Sequence, residues 1–445
     1  MMNEAEGRGR FRPGFVFKDG KGYEFERDRL TVMRPWPAPA AWRLTAKAKA
    51  FRHVLPKLDL AVIERWARPE FVEETVRDIL RFELELGPTD PQREERLRHG
   101  FGARHASARA FLDAIPEPVR AVVRRFDQSQ WQMLTFLGRV PGGLGLARTN
   151  PALAYALALN PAFHRPRVSQ PLRAARTWAH RPRHRIAGWL GFPETSSAVK
   201  LLAKVDPGAA GVVPLFTLRR IAREGGAELA TLQHLPRIHA AALECVGRAS
   251  LYRMTTGAFV GELARLDPRA AREQLQLLQD TRRMIRWIEG AEVKVRSIAR
   301  LRRLHDDLVT RVNQEIARPE RPPLAFPLPP IPGTAKIEPV TTSEELRREG
   351  REMQHCVASF EDWVAAGQGY VYRVLEPERA TLSLEPDYTG TWRIAQLHAV
   401  RNQQVEPETE AAVRRWLAGT PEPREPVDLT PMFPQFLGTG LSLGA

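Results

Sequence analysis

The residues whose types could support nucleophilic chemistry stand near the C-terminus. The segment REMQHCVASF, residues 351–360, places His355 directly before Cys356, one of two cysteines among 445 residues. A thiol becomes a nucleophile when an imidazole takes its proton and a further polar group orients that imidazole. His398 and Asn402 follow along the chain, and Gln396 could donate to an oxyanion. The candidate catalytic residues are therefore His355, Cys356, Gln396, His398 and Asn402.

A helix and a strand must bring these residues together. The helical pattern that resumes at Met353 and stops at Gly367 places Cys356 near a helix N-terminus, where the dipole lowers a thiol pKa. In the strand-like run 391–400, strict alternation puts Trp392, Ile394, Gln396 and His398 on one face. That face of a sheet could meet the helix that carries Cys356.

A second interpretation of Cys356 stays open. Met353, Cys356, Phe360 and Trp363 recur at steps of three and four, so the thiol lies on an apolar stripe and is then a small buried hydrophobe. Adjacent helical residues point about 100° apart, which separates the side chain of His355 from that of Cys356. The spacing of the histidines and cysteines is not that of a metal site, and we expect no metal or cofactor.

The triplet His305-Asp306-Asp307 could form an acid–base or metal cluster. It lies within a predicted helix, 297–317, whose apolar stripe runs through Leu301, Leu304 and Leu308. We therefore expect the triplet to form a solvated or domain-contacting face of that helix.

The elements around the candidate residues predict a small module. Thr342 and Glu345 fit a capping box that opens a helix. Three strand-like runs follow at 370–375, 380–385 and 391–400, and a helix at 406–417 closes the module. The expected order is α-β-β-β-α with an antiparallel sheet, and the module covers residues 334–417.

The rest of the chain predicts an α+β protein with a large, mainly helical N-terminal body. Residues 1–40 contain a hairpin signal, FVFKDGKGYEF at 15–25, which PWPAPA at 35–40 ends. Helical patterns fill 41–318, which we treat as one basic domain. Seven prolines in 319–333 predict a semi-rigid linker to the module, and the tail 418–445 is expected to be disordered.

The net charge of +15 is unevenly distributed. Residues 334–445 hold 11 Lys/Arg against 17 Asp/Glu, a net charge of −6, which leaves +21 on residues 1–333. The segment 164–185 has no carboxylate, and its arginines could bind phosphates while Trp178 stacks on a base. The alternative is a solvated connector. The candidate nucleic-acid-binding residues are Arg165, Arg167, Arg173, Arg176, Trp178, Arg181, Arg183 and Arg185.

The first residues, MMNEAEGRGR, lack the apolar core of a signal peptide. The most apolar window, 151–163, is too short for a membrane-spanning helix. We therefore expect a cytoplasmic protein with no membrane partner. Two cysteines exclude a disulfide framework.

Several of these residues also carry a resemblance. The sequence over about 340–417 resembles the PcfJ-like domain, named for a protein encoded on conjugative plasmids, with weaker similarity at 185–193 and 301–308. Phe360 and Ala399 depart from the tyrosine and glycine expected there. The resemblance rests on His355, Cys356, Val357, Phe360, Gly367, Thr381, Leu382, Trp392, Gln396 and Asn402.

The resemblance implies a context in plasmid mobilisation, with a protein of the transfer machinery as a candidate partner. Three functions remain open at this point. The first is an accessory or adaptor protein of mobile-element DNA whose basic body binds nucleic acid. The second is a hydrolase or transferase that depends on Cys356, and the third is a helical interaction scaffold without a ligand.

Overall fold

The computed structural model describes residues 11–27, 29–45, 50–84, 91–164, 170–287, 293–316, 323–386 and 391–418. The α+β class is confirmed, since helices dominate and two antiparallel sheets accompany them. Among these described residues, no helix combines the length and apolar character needed to cross a membrane. The predicted disordered tail lies outside the described residues from 419 onward.

The N-terminal sheet is a five-stranded antiparallel meander in sequence order. The predicted hairpin is present, with Asp19 and Gly20 at positive φ in its turn. The expected end at residue 40 is wrong, because two more strands follow the proline-containing turn. The strands are β1 (Phe11–Lys18), β2 (Lys21–Arg27), β3 (Arg29–Arg34), β4 (Ala40–Thr45) and β5 (Arg52–His53).

Helices separated by short breaks fill the chain from residue 60 to residue 247. They are α1 (Leu60–Trp66), α2 (Phe71–Leu84), α3 (Pro91–Asp113), α4 (Glu117–Val123), α5 (Gln130–Arg139), α6 (Gly143–Thr149), α7 (Pro151–Ala158), α8 (Asn160–Phe163), α9 (Pro171–Ala179), α10 (Arg183–Trp189), α11 (Ser196–Ala203), α12 (Val212–Glu224), α13 (Gly226–His234) and α14 (Ala240–Gly247). Apolar and aromatic side chains fill the space between these helices. For example, α3 meets β1 through Phe111, which packs edge-on against Phe15 and Phe17.

A second compact unit begins at Arg248, and we call it the C-terminal unit. Its elements are α15 (Ala249–Tyr252), α16 (Gly257–Leu263), α17 (Pro268–Trp287), α18 (Ile298–Ile316), β6 (Ile337–Pro339), α19 (Ser343–Met353), α20 (Glu361–Ala365), β7 (Tyr370–Val374), β8 (Ala380–Pro386), β9 (Trp392–His398) and α21 (Pro407–Leu417). Asp267 accepts from the backbone N–H groups of Arg269 and Ala270, so it caps α17 as expected.

The domain division predicted at the proline-rich segment differs from the structure. Met284 of α17 and Leu308 and Val312 of α18 are buried in one core with Val371 and Leu382 of the sheet. These two long helices bury their apolar stripes against the sheet and its flanking turns. They therefore belong to the same folded unit as the predicted module rather than to the preceding helical body.

The sheet of the C-terminal unit has the strand order β6-β7-β8-β9, and every neighbouring pair is antiparallel. The three predicted strands are present, but β6 was missed because it is only three residues long and ends at Pro339. Thr342 caps α19 by accepting from the N–H of Glu345 at 3.2 Å, while Glu345 accepts from the N–H of Thr341 at 2.7 Å. Gly367, which follows α20, has the positive φ expected of a helix stop.

The proline-rich segment is attached to this sheet over its described part, 323–333. Ala325 forms an antiparallel bridge with Thr342, and the N–H of Phe326 donates to the carbonyl of Thr341 at 2.8 Å. Further on, the hydroxyl of Tyr372 donates to the carbonyl of Ile331 at 2.8 Å. The segment is extended, as its prolines dictate, but it packs on the unit and does not span two domains.

Candidate functional site

A short turn carries His355 and Cys356. Helix α19 ends at Met353, and Gln354 takes a left-handed conformation with φ 52°. The following residues form a five-residue 3-10 turn, Cys356–Phe360, instead of continuing a helix. Cys356 is therefore the first residue of a 3-10 turn and not part of the α-helix that was expected to resume at Met353, while His355 reaches Thr381 of β8.

His355 ends a buried chain of polar groups. Its Nε2 lies 2.8 Å from Oγ1 of Thr381, and the Thr381 hydroxyl donates to the Glu349 carboxylate. Glu349 is fully buried and ion-paired with Arg379 and Arg373. An ionised carboxylate only accepts, so the single Thr381 proton goes to Glu349 and Nε2 of His355 must donate. This arrangement fixes one tautomer of a neutral imidazole.

The charge state of His355 follows from its surroundings. Its pKa is lowered to about 3, chiefly by burial and in smaller part by the nearby His398 and Arg379, while a hydrogen bond to its own backbone opposes the decrease. A histidine with so low a pKa stays neutral at physiological pH and is a poor general base. Its hydrogen bond to Thr381 gives it a structural role, which is to tie the turn to the sheet.

The Cys356 thiol is not activated. The side chain is buried, and burial raises its pKa far above the ordinary range. The Asp280 carboxylate adds to that increase, and Arg283 only partly opposes it. The expected lowering of the thiol pKa is therefore wrong. A protonated, inaccessible thiol does not attack a substrate.

Gln396 and His398 reach the same region from the edge strand β9. The register of β9 against β8 changes between Ser383 and Leu384, so that Ser383 pairs with Gln396 and Leu384 with Ile394. Because Ser383 and Leu384 point to opposite faces of the sheet, their partners do too. The prediction that Ile394 shares a face with Gln396 is thus wrong, and a bulge at Ala395 is the reason.

The five predicted catalytic residues do lie together. His355, Cys356, Gln396, His398 and Asn402 border one small void, together with Thr381 and Ser383, and its volume is about 10 Å³. We call this region the thiol pocket. Such a volume is about that of one water molecule, so it has no room for a substrate.

A much larger cavity lies on the other side of Gln396, His398 and Asn402. Its volume is about 480 Å³, within the roughly 300–1,000 Å³ typical of ligand pockets. We call it the histidine cleft, and we define it by Asp280, His305, Gln396, His398 and Asn402. Its walls come from α17, α18, β9, the loop that follows β9, and α21.

Two histidines that line the histidine cleft each have one ring nitrogen without a partner among the described residues. His305 is 1 % exposed, and its Nε2 has no hydrogen-bond partner among the described residues; the same holds for Nδ1 of His398. Asp280, 6 % exposed, is ion-paired with Arg283 and accepts from Nε2 of Gln396 at 2.8 Å. An unsatisfied buried polar atom costs about 1–3 kcal/mol, so two of them at one cavity need a reason.

The two histidines with an unpaired ring nitrogen are neutral, because the pKa of each is lowered. Burial lowers the pKa of His305, against the opposing pull of Asp280 and Asp306. Burial likewise lowers the pKa of His398, which Asp280 and Glu273 partly offset. A neutral imidazole carries one donor and one acceptor nitrogen. Nδ1 of His305 lies 3.4 Å from Oδ1 of Asp306 and is the donor there, so Nε2 of His305 is left as an acceptor.

The rim of the histidine cleft carries four arginines of two kinds. Arg269 and Arg414 pair with carboxylates of their own helices, Glu273 and Glu410. The other two reach side-chain amides instead, since Arg302 donates to Gln274 at 3.4 Å and Arg401 donates to Gln354 at 2.6 Å.

The backbone beside the cleft is strained. Gln354, Arg401 and Asn402 all have φ between 52° and 57°, a left-handed conformation that costs a non-glycine residue on the order of 1 kcal/mol. Asn402 and Arg401 line the cleft, and Arg401 is bonded to Gln354. Strain of this kind is concentrated at functional sites, which supports the cleft as the site.

The sequence predictions missed Asp280 and misjudged His305. Asp306 and Asp307 are exposed as expected, but His305 faces the interior. A signal was available on α17, where Arg269, Glu273, Gln276 and Asp280 recur at steps of three and four and form a polar stripe opposite the apolar one. No group of three or more metal-ligating side chains comes together among the described residues.

The arginine-rich segment of the preceding unit is exposed. Arg165 and Arg167 lie outside the described residues, whereas Arg173, Arg176, Arg181, Arg183 and Arg185 are exposed on α9, α10 and the turn between them. Trp178 stacks on Trp189 with ring centroids 4.9 Å apart, so one face of its ring is already covered.

Some of these arginines already have protein partners. Arg185 pairs with Glu194 at 2.6 Å, while Arg176 and Arg183 hydrogen-bond to the carbonyl of Arg139 and the hydroxyl of Thr149, each at 2.8 Å. The structure thus leaves these cations on the surface but does not bring them into a groove with a free aromatic ring.

Comparison with known proteins identifies the C-terminal unit. A family model described as PcfJ-like protein matches residues 277–414. No curated protein and no solved structure matches the chain. The matched stretch includes most of α17, all of α18, the sheet and most of α21, which are the walls of the histidine cleft. Residues 277–414 of the chain thus form a PcfJ-like domain.

Proposed function

We propose that this protein is a binding protein whose C-terminal unit takes a small polar ligand into the histidine cleft. The observation that carries the proposal is a 480 Å³ cavity lined by His305 and His398, each of which has one buried ring nitrogen without a hydrogen-bond partner among the described residues. A ligand would supply the missing hydrogen bonds, and its binding would recover the free energy that their burial costs.

The thiol pocket supports non-covalent binding over cysteine chemistry. Its void of about 10 Å³ does not admit a substrate carbonyl beside Cys356, and the raised pKa keeps the thiol protonated. His355 is committed to Thr381 and so does not serve as a base. We therefore assign ligand binding to His305 and His398 and no covalent role to Cys356.

The proposal is tested by screening the full-length protein for thermal stabilisation against amino acids, nucleotides and sugar phosphates. His305→Phe removes the unpaired nitrogen and keeps a flat ring of similar size. We expect it to abolish the stabilisation that the native protein shows, with a loss of affinity of about 10-fold or more.

Asp307→Asn is the matched control, because Asp307 is exposed on the same helix and lies outside the cleft. It should bind as the native protein does. If no compound of the three classes stabilises the native protein, or if His305→Phe binds equally well, the histidine cleft is not the binding site.

A second candidate function concerns nucleic acid and the transfer of mobile-element DNA. It is favoured by the exposure of Arg173, Arg176, Arg181, Arg183 and Arg185 in a segment without a carboxylate. Arginine forks suit phosphate oxygens, and the charge of +21 on residues 1–333 would strengthen the attraction. In this role the protein would act as an accessory or adaptor that holds DNA while the C-terminal unit engages its own ligand.

The DNA proposal predicts salt-dependent binding that requires these arginines. Replacing Arg173, Arg176, Arg181 and Arg183 by alanine removes four cations, so the slope of log affinity against log salt should fall by up to about 4 units. The measurement is fluorescence anisotropy with a labelled duplex and a single strand over a salt series. Equal binding by the native and fourfold-substituted proteins at low salt would exclude this surface.

A further inference from the structure

We propose that the ligand of the histidine cleft is a nucleoside monophosphate, with its uncharged base and sugar at the histidines and its phosphate at Arg302 and Arg401. The proposal deepens the binding function proposed above and depends on it. It rests on four features of the cleft, which are a charge-compensated floor, unpaired imidazole nitrogens, two arginines on the rim that hydrogen-bond to amides, and the size of the cavity.

The charge of the buried Asp280 carboxylate in the cleft is compensated within the protein. The Asp280 carboxylate has Arg283 as its ion-pair partner at Oδ1, and the amide of Gln396 donates to Oδ2. Both carboxylate oxygens are therefore engaged, and the negative charge is compensated within the protein. A cationic ligand gains little from such a floor, so the buried part of the ligand should be neutral.

The unpaired nitrogens call for a ligand that is rich in hydrogen-bonding groups. His305 and His398 are neutral and stand beside the amides of Gln396 and Asn402. Together these side chains can donate hydrogen bonds to, and accept them from, a ligand whose edge alternates donors and acceptors. Nucleobase edges and ribose hydroxyls present that alternation without carrying charge.

The rim offers an anion two guanidinium groups. Arg302 and Arg401 come from α18 and from the loop after β9, and each now donates to a neutral amide. Exchanging an amide for a phosphate oxygen replaces a neutral acceptor with a charged one, which strengthens the hydrogen bond. Arg269 and Arg414, by contrast, already have carboxylate partners.

The size of the cavity and its apolar walls favour a flat, nucleotide-sized molecule. A volume of about 480 Å³ far exceeds what inorganic phosphate fills. Leu277, Ile394 and Val405 line the cavity together with the polar groups. Apolar side chains beside hydrogen-bonding groups can cover the faces of a ring while the polar groups bind its edge.

The test is isothermal titration calorimetry of the full-length protein with AMP, CMP, GMP and UMP, and with adenosine, ribose 5-phosphate and inorganic phosphate. At least one monophosphate should bind about 10-fold or more tightly than its nucleoside and than inorganic phosphate. Oligonucleotides with a 5′-phosphate or a 5′-hydroxyl distinguish a free nucleotide from the end of a single strand, since both carry the same phosphorylated nucleoside.

Two substitutions separate the contributions of rim and floor. Arg302→Gln should weaken the monophosphate about 10- to 100-fold and leave the nucleoside unchanged, whereas His305→Phe should weaken both. Arg303→Gln makes the same change of charge at an exposed position of α18 outside the cleft, and it should bind as the native protein does. Protection of Cys356 from alkylation shows that each variant keeps the C-terminal unit folded.

The outcomes distinguish this proposal from the binding function on which it depends. If amino acids or non-nucleotide sugar phosphates bind in a manner that requires His305 while no nucleotide does, the nucleotide assignment is overturned and the binding function stands. If no small polar compound binds, both are overturned. Equal loss of nucleotide affinity in Arg302→Gln and Arg303→Gln would also overturn the assignment, because the effect would then be one of net charge.

Discussion

The thiol pocket and the histidine cleft adjoin one another across Gln396, His398 and Asn402, yet they differ in how their polar atoms are paired. In the thiol pocket, His355, Thr381 and Glu349 satisfy one another, although Oγ of Ser383 has no partner among the described residues, and the void holds about one water molecule. In the histidine cleft, two buried nitrogens have no partner among the described residues. Residue types alone favoured the thiol pocket, whereas the space available to a ligand favours the cleft.

The two cysteines allow each unit to be followed separately. Cys245 is buried in α14, which lies in the compact unit that precedes Arg248, and Cys356 is buried in the C-terminal unit. Each thiol should react with an alkylating reagent only when its own unit unfolds. Pulsed alkylation across a urea series therefore gives a free energy of unfolding for each unit, with Cys245 as the internal reference. Rapid reaction of Cys356 in the native protein would contradict the closed thiol pocket.

The largest effect is expected from breaking the satisfied network. Glu349→Ala leaves Arg379, Arg373 and Thr381 without their shared partner, which should lower the free energy of unfolding of the C-terminal unit by about 3–5 kcal/mol. Glu352→Ala, on the same helix, removes an exposed ion pair with Arg379 and should cost at most about 1 kcal/mol. Similar decreases in the free energy of unfolding for the two variants would show that the buried network stabilises the unit no more than an exposed ion pair does.

The second-largest effect is expected from acid, which should lower the free energy of unfolding of the C-terminal unit. The pKa of His355 is about 3 in the folded protein and 6.5 when unfolded, so below pH 6.5 the unfolded state binds the extra proton. Its contribution to stability is complete above pH 6.5 and decreases by about 1.4 kcal/mol for each pH unit toward pH 3. The lowered pKa values of His305 and His398 act in the same direction.

His355→Gln tests this pH dependence, because glutamine can still donate to Thr381 but does not titrate. Alkylation of Cys356 in urea at pH 7, 6 and 5 should give a shallower dependence on pH in the variant than in the native protein. Identical dependences would mean that His355 is already charged in the folded state.

The smallest expected effect is an increase in the free energy of unfolding of the C-terminal unit. His305→Phe replaces a buried imidazole whose Nε2 is unpaired with an apolar ring, so the free energy of unfolding should rise by about 1 kcal/mol while ligand binding is lost. The measurement is again the urea midpoint of Cys356 alkylation. A loss of stability would show that the contact of Nδ1 of His305 with Asp306 stabilises the fold, and the contrast between the two regions would disappear.

Local chemistry made much of the fold predictable. Asp267 caps α17, Thr342 caps α19 and Gly367 follows α20, as expected, because capping depends on residues within one turn of each other. The strands β7, β8 and β9 were predicted from runs of β-forming residues between turn residues. The three-residue β6 carries no comparable pattern, and it exists because it pairs with β7.

The site was harder to predict because it depends on register and long-range packing. The bulge at Ala395 reverses the alternation on which the placement of Ile394 and Gln396 was based. Asp280 meets Gln396 across 116 residues of sequence, and no local pattern reports that distance. The sequence did predict that five residues lie close together, namely His355, Cys356, Gln396, His398 and Asn402. It did not predict the protonation state of the Cys356 thiol, because that state depends on how deeply the side chain is buried.

The attachment of the proline-rich segment determines where the chain could be divided by truncation. A fragment that started at residue 334 would lose the bridge from Ala325 to Thr342 and the hydrogen bonds between Ile331 and Tyr372. It would also expose the side chains that α17 and α18 now cover. An autonomously folding piece must therefore start near Arg248, some seventy residues before the prolines that look like a natural place to cut.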